Sequence, residues 1–172
     1  MSRMILFCLA VSLSACTGIP EGVRPVSGFE LQRYLGTWHE IARLDHSFER
    51  GLIAVTADYS LRDDGGVRVI NSGYDVAEKR RRSAEGRAYF LETPDMGRLK
   101  VAFFWPFYGA YNIVALDKDD YRYVMIAGNT KDYLWILARS PVLEDQILQT
   151  LVDQAKALGF PTEALIYLKS GQ

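Results

Sequence analysis

Few residues of this chain could make or break bonds. The reactive candidates are two cysteines, Cys8 and Cys16, and two histidines, His39 and His46. A metal centre needs three or four converging ligands, and no Cys/His cluster exists here. There is no Gly-x-Ser-x-Gly elbow and no glycine-rich phosphate loop. His39 falls out of phase with its apolar neighbour Trp38 and is expected to face solvent. His46, in the polar stretch "DHSFERG", is expected to be a solvated loop residue. The chemistry predicted is therefore binding: no catalysis, no metal, no cofactor. A net charge of −1 gives nucleic acid no footing.

One reactive residue remains, and its place is informative. Arg3 and the apolar run Met4–Leu13 lead to Leu13-Ser14-Ala15-Cys16. This is the layout of a secretory signal, too short to span a bilayer as a mature helix. The four residues resemble the bacterial lipobox, whose cysteine is acylated after cleavage. Cys8 lies within the signal, so the mature chain would keep only Cys16. A lone thiol in an oxidising space is a liability, and acylation removes it. Each buried methylene contributes ~0.8 kcal/mol, and stable anchoring takes about two chains. In the lipoproteins this resembles, an aspartate after the cysteine retains the protein at the inner membrane; Thr17 points to the outer one. The domains predicted are a signal at 1–15, a lipidated cysteine and flexible tether at 16–27, and one folded domain at 28–172.

The elements that must position any binding site follow from hydrophobic period. Strand-like runs recur at 36–45, 53–62, 67–76, 84–92, 98–105, 110–117, 121–129 and 133–139. In the second, Val55, Ala57 and Tyr59 alternate with Thr56, Asp58 and Ser60. The period then changes. Ser140-Pro141 offers a helix start. Leu143, Ile147, Leu151 and Ala155 repeat at helical spacing until Gly159 and Pro161 end it. A final short strand is expected at 164–169. Eight short antiparallel strands, one amphipathic helix and a last strand predict an all-β, up-and-down barrel with the helix packed outside. An eight-stranded barrel is just wide enough for one small ligand, or can be filled by its own side chains.

Three motifs carry a family resemblance: Gly36-Thr37-Trp38, then Leu116-Asp117 with Tyr121, then Arg139 at the end of the eighth strand. The chain resembles the lipocalins, most closely their bacterial outer-membrane lipoprotein branch and the apolipoprotein D branch, over about residues 28–169. Leu116 stands where the family has threonine. The resemblance implies that Gly36, Trp38, Asp117 and Arg139 build the barrel floor, with the Arg139 guanidinium over the Trp38 indole. These are structural positions.

With Arg139 inward, strand alternation places Leu137, Trp135 and Tyr133 inward and Leu134 and Ile136 outward. The alternative face of the fifth strand would bury Lys100, so Val101, Phe103 and Trp105 are the expected inward set. The same reasoning selects Ala57 and Tyr59, and the family pattern adds Asn71 and Tyr111. The predicted ligand-lining residues are Tyr59, Asn71, Val101, Phe103, Trp105, Tyr111, Tyr133 and Trp135. Arg80, Arg81 and Arg82 belong to a charge run expected in the loop between the third and fourth strands. They read either as a solvated hairpin tip or as a cationic rim for anionic head groups.

The resemblance implies a lipid-anchored carrier at the bacterial outer membrane. It would hold a fatty acid, lysophospholipid or similar amphiphile for lipid storage or transport in envelope maintenance. A carrier of another small hydrophobic ligand is the alternative, because fold does not dictate function. An envelope interaction module, dimerising through the aromatic loop "WPFYG", is another.

Overall fold

The structure, a computed structural model, describes residues 17–168. The leader and Cys16 lie outside the described residues. A one-turn helix α1, Leu31–Tyr34, leads into eight strands. These are β1 Gly36–Arg43, β2 Leu52–Leu61, β3 Val67–Asp75, β4 Arg80–Phe90, β5 Arg98–Phe104, β6 Phe107–Leu116, β7 Tyr123–Ala127 and β8 Leu134–Ala138. Each pairs antiparallel with the next, and β1 closes the circle by pairing with both β2 and β8. Helix α2, Asp145–Ala157, a 3-10 turn, Thr162–Ala164, and a two-residue strand β9, Ile166–Tyr167, complete the chain. β9 adds to β1 at Ala42 and Arg43, outside the closed barrel.

Two cores result, one on each side of the barrel wall. The inner one gathers Trp38, Tyr59, Val67, Val69, Ile113, Val124, Ile126 and Leu137. The outer one sets Ile41, Ala42, Met125, Leu134 and Ile136 against Leu151 and Ala155 of α2 and against Phe160. β7 and β8 serve both cores, which is why "YVMIA" and "LWILA" are apolar on both faces. The strand connections β1–β2, β3–β4, β5–β6 and β7–β8 share one end, the mouth. The other end is the floor.

Two expectations about elements are corrected. Helix α2 starts at Asp145, not after Ser140-Pro141. The Ser140 hydroxyl instead accepts the Val142 N–H at 3.3 Å, closing a local turn that competes with helix entry. The tether expected at 16–27 is docked over residues 17–27. Val23 is buried in the outer core. The Val26 N–H donates to the Ile113 carbonyl, and the Val26 carbonyl accepts from Gly97. The Asn112 amide donates to the Gly18 carbonyl at 3.1 Å. Val23, Val26 and Ile19 supply the apolar contacts that composition alone had concealed among the glycines and prolines.

The barrel interior as candidate ligand site

The floor is built as a stack. Trp38 is 0% exposed and donates its Nε1–H to the Tyr34 carbonyl at 2.8 Å. The Arg139 guanidinium lies 4.0 Å from the centre of the Trp38 ring. It also donates to the carbonyls of Thr37, Arg33 and Tyr121, so it ties α1, β1 and the β6–β7 connection together. Gly36 has φ +92°, a backbone region that strains any side chain, and Arg139 passes just above it. Asp117 is buried and accepts from the Arg122 guanidinium at 2.9 Å, fixing the β6–β7 turn. Leu116 packs at the edge of the inner core.

Above the floor the lower barrel is filled. The hydroxyls of Tyr34 and Tyr59 lie 2.6 and 2.8 Å from that of Tyr111. Burial pushes all three phenols upward from their ordinary range, so they stay neutral hydrogen-bonding groups. The void among these tyrosines, Val69, Leu99 and Val101 holds about 10 Å³, about the limit for one water.

The upper barrel is different. Asn71, Val101, Phe103 and Trp135 face inward yet are only half-buried. These residues, the cup, are the less completely covered part of the interior, and Tyr111 below them is half-buried as well. Gly73, Ala84 and Gly86 share the inward face of β3 and β4, where Leu52 and Val55 pack over Gly73 and the Phe103 ring over Gly86. Asn71 turns a buried Oδ1 without a hydrogen-bond partner. Tyr133 stands at the mouth, its ring stacked on Trp135 with centroids 6.2 Å apart.

Trp105 is not in the cup. β5 shifts register between Val101 and Phe104, and Phe104 then pairs with Phe107. Trp105 and Pro106 form the two-residue turn between them, and Trp105 is 71% exposed. Alternation stopped applying where the strand turned. Arg80, Arg81 and Arg82 are not in a loop either, but open β4. The turn occupies residues 76–79. Arg80 pairs with Glu78 and Arg82 with Asp75.

The mouth also holds a polar knot that alternation missed. Glu40 and Arg43 are three residues apart, which on a regular strand puts them on opposite faces. A β-bulge between Glu40 and Ala42 shifts the parity. Both then face inward, opposite Leu137 and Trp135 respectively. Arg43 Nη1 donates to Glu40 Oε1 at 2.6 Å, and Nη2 to the Glu49 carbonyl at 2.9 Å. Trp135 Nε1–H donates to Glu49 Oε2 at 3.1 Å.

His46, expected in solvent, is buried beneath Phe48, ring centroids 3.9 Å apart. Its Nε2 lies 3.0 Å from Glu49 Oε2, off the line of a good hydrogen bond. The reason is the fold of residues 44–51: this loop turns back over the cup and its acid drops inside. Burial, then the charge of Glu49, push the Glu40 carboxyl up to about 8 against the pull of Arg43. Burial also opposes charge on Glu49, but contacts with His46, Trp135 and Arg43 outweigh it and hold that carboxyl below its usual range. The knot is thus a nearly neutral set, with Glu40 carrying a proton near neutral pH. Among the described residues no group of three His, Cys, Asp or Glu side chains converges as a metal site would need.

A family model described as a lipocalin-like domain matches residues 29–170. The chain is a lipocalin. It is 48% identical over 169 residues to an outer membrane lipoprotein Blc of Vibrio cholerae, covering 98% of this chain and 99% of that one. It is 34% identical over 131 residues to apolipoprotein D of Bos taurus, covering 73% of this chain and 68% of the relative. Insecticyanin of the tobacco hornworm Manduca sexta superposes with a TM-score of 0.67 at 21% identity, covering 91% and 88% of the two chains. At that identity the likeness concerns the fold alone. The lipocalin floor, with Trp38 under Arg139, closes one end of the barrel.

Proposed function

We propose that this lipocalin binds one single-chain amphiphile, a fatty acid or lysophospholipid, in the upper barrel and shields its acyl chain from water. It is a binding protein, not a catalyst. The observation that carries this reading is the contrast within one barrel. The lower half is closed to about 10 Å³. Toward the mouth, Phe103 and Trp135 face inward and are half-buried. The ligand's apolar end would lie against these rings, and its polar end would face the knot of Glu40, Arg43 and Glu49. The lipobox-like residues at 13–16 and the outer membrane lipoprotein name of the relative support a lipid anchor on Cys16 at the bacterial outer membrane. The role would be lipid storage or transport in envelope maintenance.

Native mass spectrometry of the purified protein should show co-purified lipid at one per chain. Titration with fatty acids of increasing length should show affinity rising with each methylene, by at most ~0.8 kcal/mol, or about fourfold, until the cup is full. Trp135→Ala should weaken every length. Affinity independent of length would sink the cup as the binding site.

A further inference from the structure

The barrel wall is open on one side near the mouth. β3 pairs with β4 along residues 80–88, but β5 pairs with β4 only from Arg87, opposite Ala102, onward. Residues 80–86 therefore have no partner on the β5 side. Ala84 sits opposite Asn71 on the inward face, yet it is exposed. Asn71, its neighbour toward β3, is half-buried, so the missing cover is on the side of β5.

A cleft of about 210 Å³ lies in this gap. Its lining comes from both faces of the wall. Gly86 and Phe103 belong to the inward face, Glu85 and Ala102 to the outward one, and Trp105 of the β5–β6 turn stands at its edge. A Cβ at Gly86 would lie 2.9 Å from Cδ1 of Phe103 and 2.9 Å from the Ala102 carbonyl oxygen. The Phe103 ring thus rests on the bare backbone of β4, in the space a side chain at position 86 would take. Phe103 is half-buried and also packs against the inner core. One aromatic ring, rather than a ladder of hydrogen bonds, separates the cleft from the interior.

The top of the barrel is shut by stronger means. His46 and Glu49 of the β1–β2 loop are buried there. Arg43 donates to the Glu49 carbonyl at 2.9 Å, and Trp135 to the Glu49 carboxylate at 3.1 Å. Opening the barrel through this loop breaks bonds to buried charged groups, which are the strong ones. Opening it at the cleft turns one ring, a fast motion, and breaks no β4–β5 backbone bond. Phe104 and Trp105, 77% and 71% exposed, flank the gap and give an alkyl chain leaving water an apolar threshold.

We propose that the cleft between β4 and β5 is a side entrance to the barrel, through which the acyl chain of the ligand enters and leaves, with Phe103 as its gate. The entrance rests on the amphiphile-binding reading above.

The test uses the chain beginning at Thr17, which retains the whole barrel and both cores and carries no cysteine. Ala84→Cys and, separately, Phe48→Cys place a lone thiol at the cleft and on the loop over the top. Both side chains are exposed, so each thiol can be capped with a bulky maleimide outside either core, and thermal melting should stay unchanged. Stopped-flow mixing with a fluorescent polyene fatty acid measures association and dissociation. The cap at position 84 should slow both rates at least ~tenfold and by the same factor, leaving Kd unchanged, because a gate alters the path and not the bound state. The cap at position 48 should leave both rates as they were. Rates untouched by the cap at 84, or slowed as much by the cap at 48, overturn the entrance and leave binding standing. Faster dissociation alone would set the cap against the bound ligand rather than on its path, and overturns it too. So does a dimer that only the cap at 84 dissociates, because a second copy would then cover this edge. If no form binds the fatty acid, the amphiphile reading fails and the entrance with it.

Discussion

Replacing Glu40 by Gln tests the polar knot through pH. Glu40 is buried, and its carboxyl is raised from 4.5 to about 8 by burial and by the Glu49 charge. At ~1.4 kcal/mol per pH unit, that step corresponds to a coupling of ~5 kcal/mol. The sign follows from proton uptake. Between the two values the folded state binds a proton that the unfolded chain has released, so stability falls as pH rises. The contribution is complete below about pH 4.5 and is lost as pH climbs through 8. Glu49 is shifted the other way, so its contribution is lost only in acid and does not mask this window. Gln keeps the shape of the protonated acid, and its carbonyl can still accept from Arg43. Urea unfolding followed by circular dichroism at steps from pH 5 to 9 measures the slope. The wild type should lose several kcal/mol over that range, a large part of a typical ~5–15 kcal/mol total. Glu40→Gln should flatten the curve and be the more stable protein above pH 8. Parallel curves, or an equal loss at every pH, would mean that Glu40 is charged and works as an ordinary ion pair with Arg43, and the reasoning fails.

Trp38→Ala should destabilise by ~3–5 kcal/mol, and Arg139→Ala should also lower the melting temperature, since it removes the donor shared by three carbonyls; unchanged melting with lost ligand binding would assign them to the ligand instead. Cys16→Ser should move the protein from the membrane fraction to the soluble one, and a variant that still sediments with the outer membrane refutes the anchor. Tyr111→Phe removes the hydroxyl that Tyr34 and Tyr59 both meet and should cost ~1–3 kcal/mol with acyl-length dependence intact; loss of binding at constant stability would show that the triad is part of the cup.

How far the fold can be read from the chain depends on where strands stay regular. β8 has no register shift with β7. Alternation, anchored on Arg139 through the family resemblance, places Leu137 and Trp135 in the inner core and Leu134 and Ile136 in the outer one, as the structure has them. β1 and β5 both carry bulges, and simple alternation fails beyond them. Past the β1 bulge, Arg43 turns inward when its spacing from Glu40 says outward. Past the β5 shift, Trp105 leaves the cup for the rim. A bulge leaves little mark in composition. Its trace here is chemical: an arginine three residues after a glutamate, followed by an acid-bearing loop, "EIARLDHSFE", is a set that could neutralise itself inside a barrel. The docked segment at 17–27 was illegible for a related reason. Its glycines and prolines carry no period; backbone partners on Gly97 and Ile113, the Asn112 bond to Gly18 and the burial of Val23 hold it in place.

These misreadings meet at one end of the molecule. Trp105 moves from cup to rim, the arginines move from a loop to an open edge of β4, and the supposed tether becomes a strap that ends beside Gly128. The floor motifs Gly36, Trp38 and Arg139 specify a closed barrel and are silent about its contents. Above Tyr111 lie the buried knot of Glu40, Arg43 and Glu49 under the β1–β2 loop and an exposed aromatic rim around it. A ligand entering from the rim meets Trp135, whose ring lines the cup while its N–H holds Glu49. Displacing that ring would free a buried carboxylate whose charge, after burial itself, raises Glu40. On the proposed function, a ligand that shifts Trp135 should therefore also shift the pH at which Glu40 ionises.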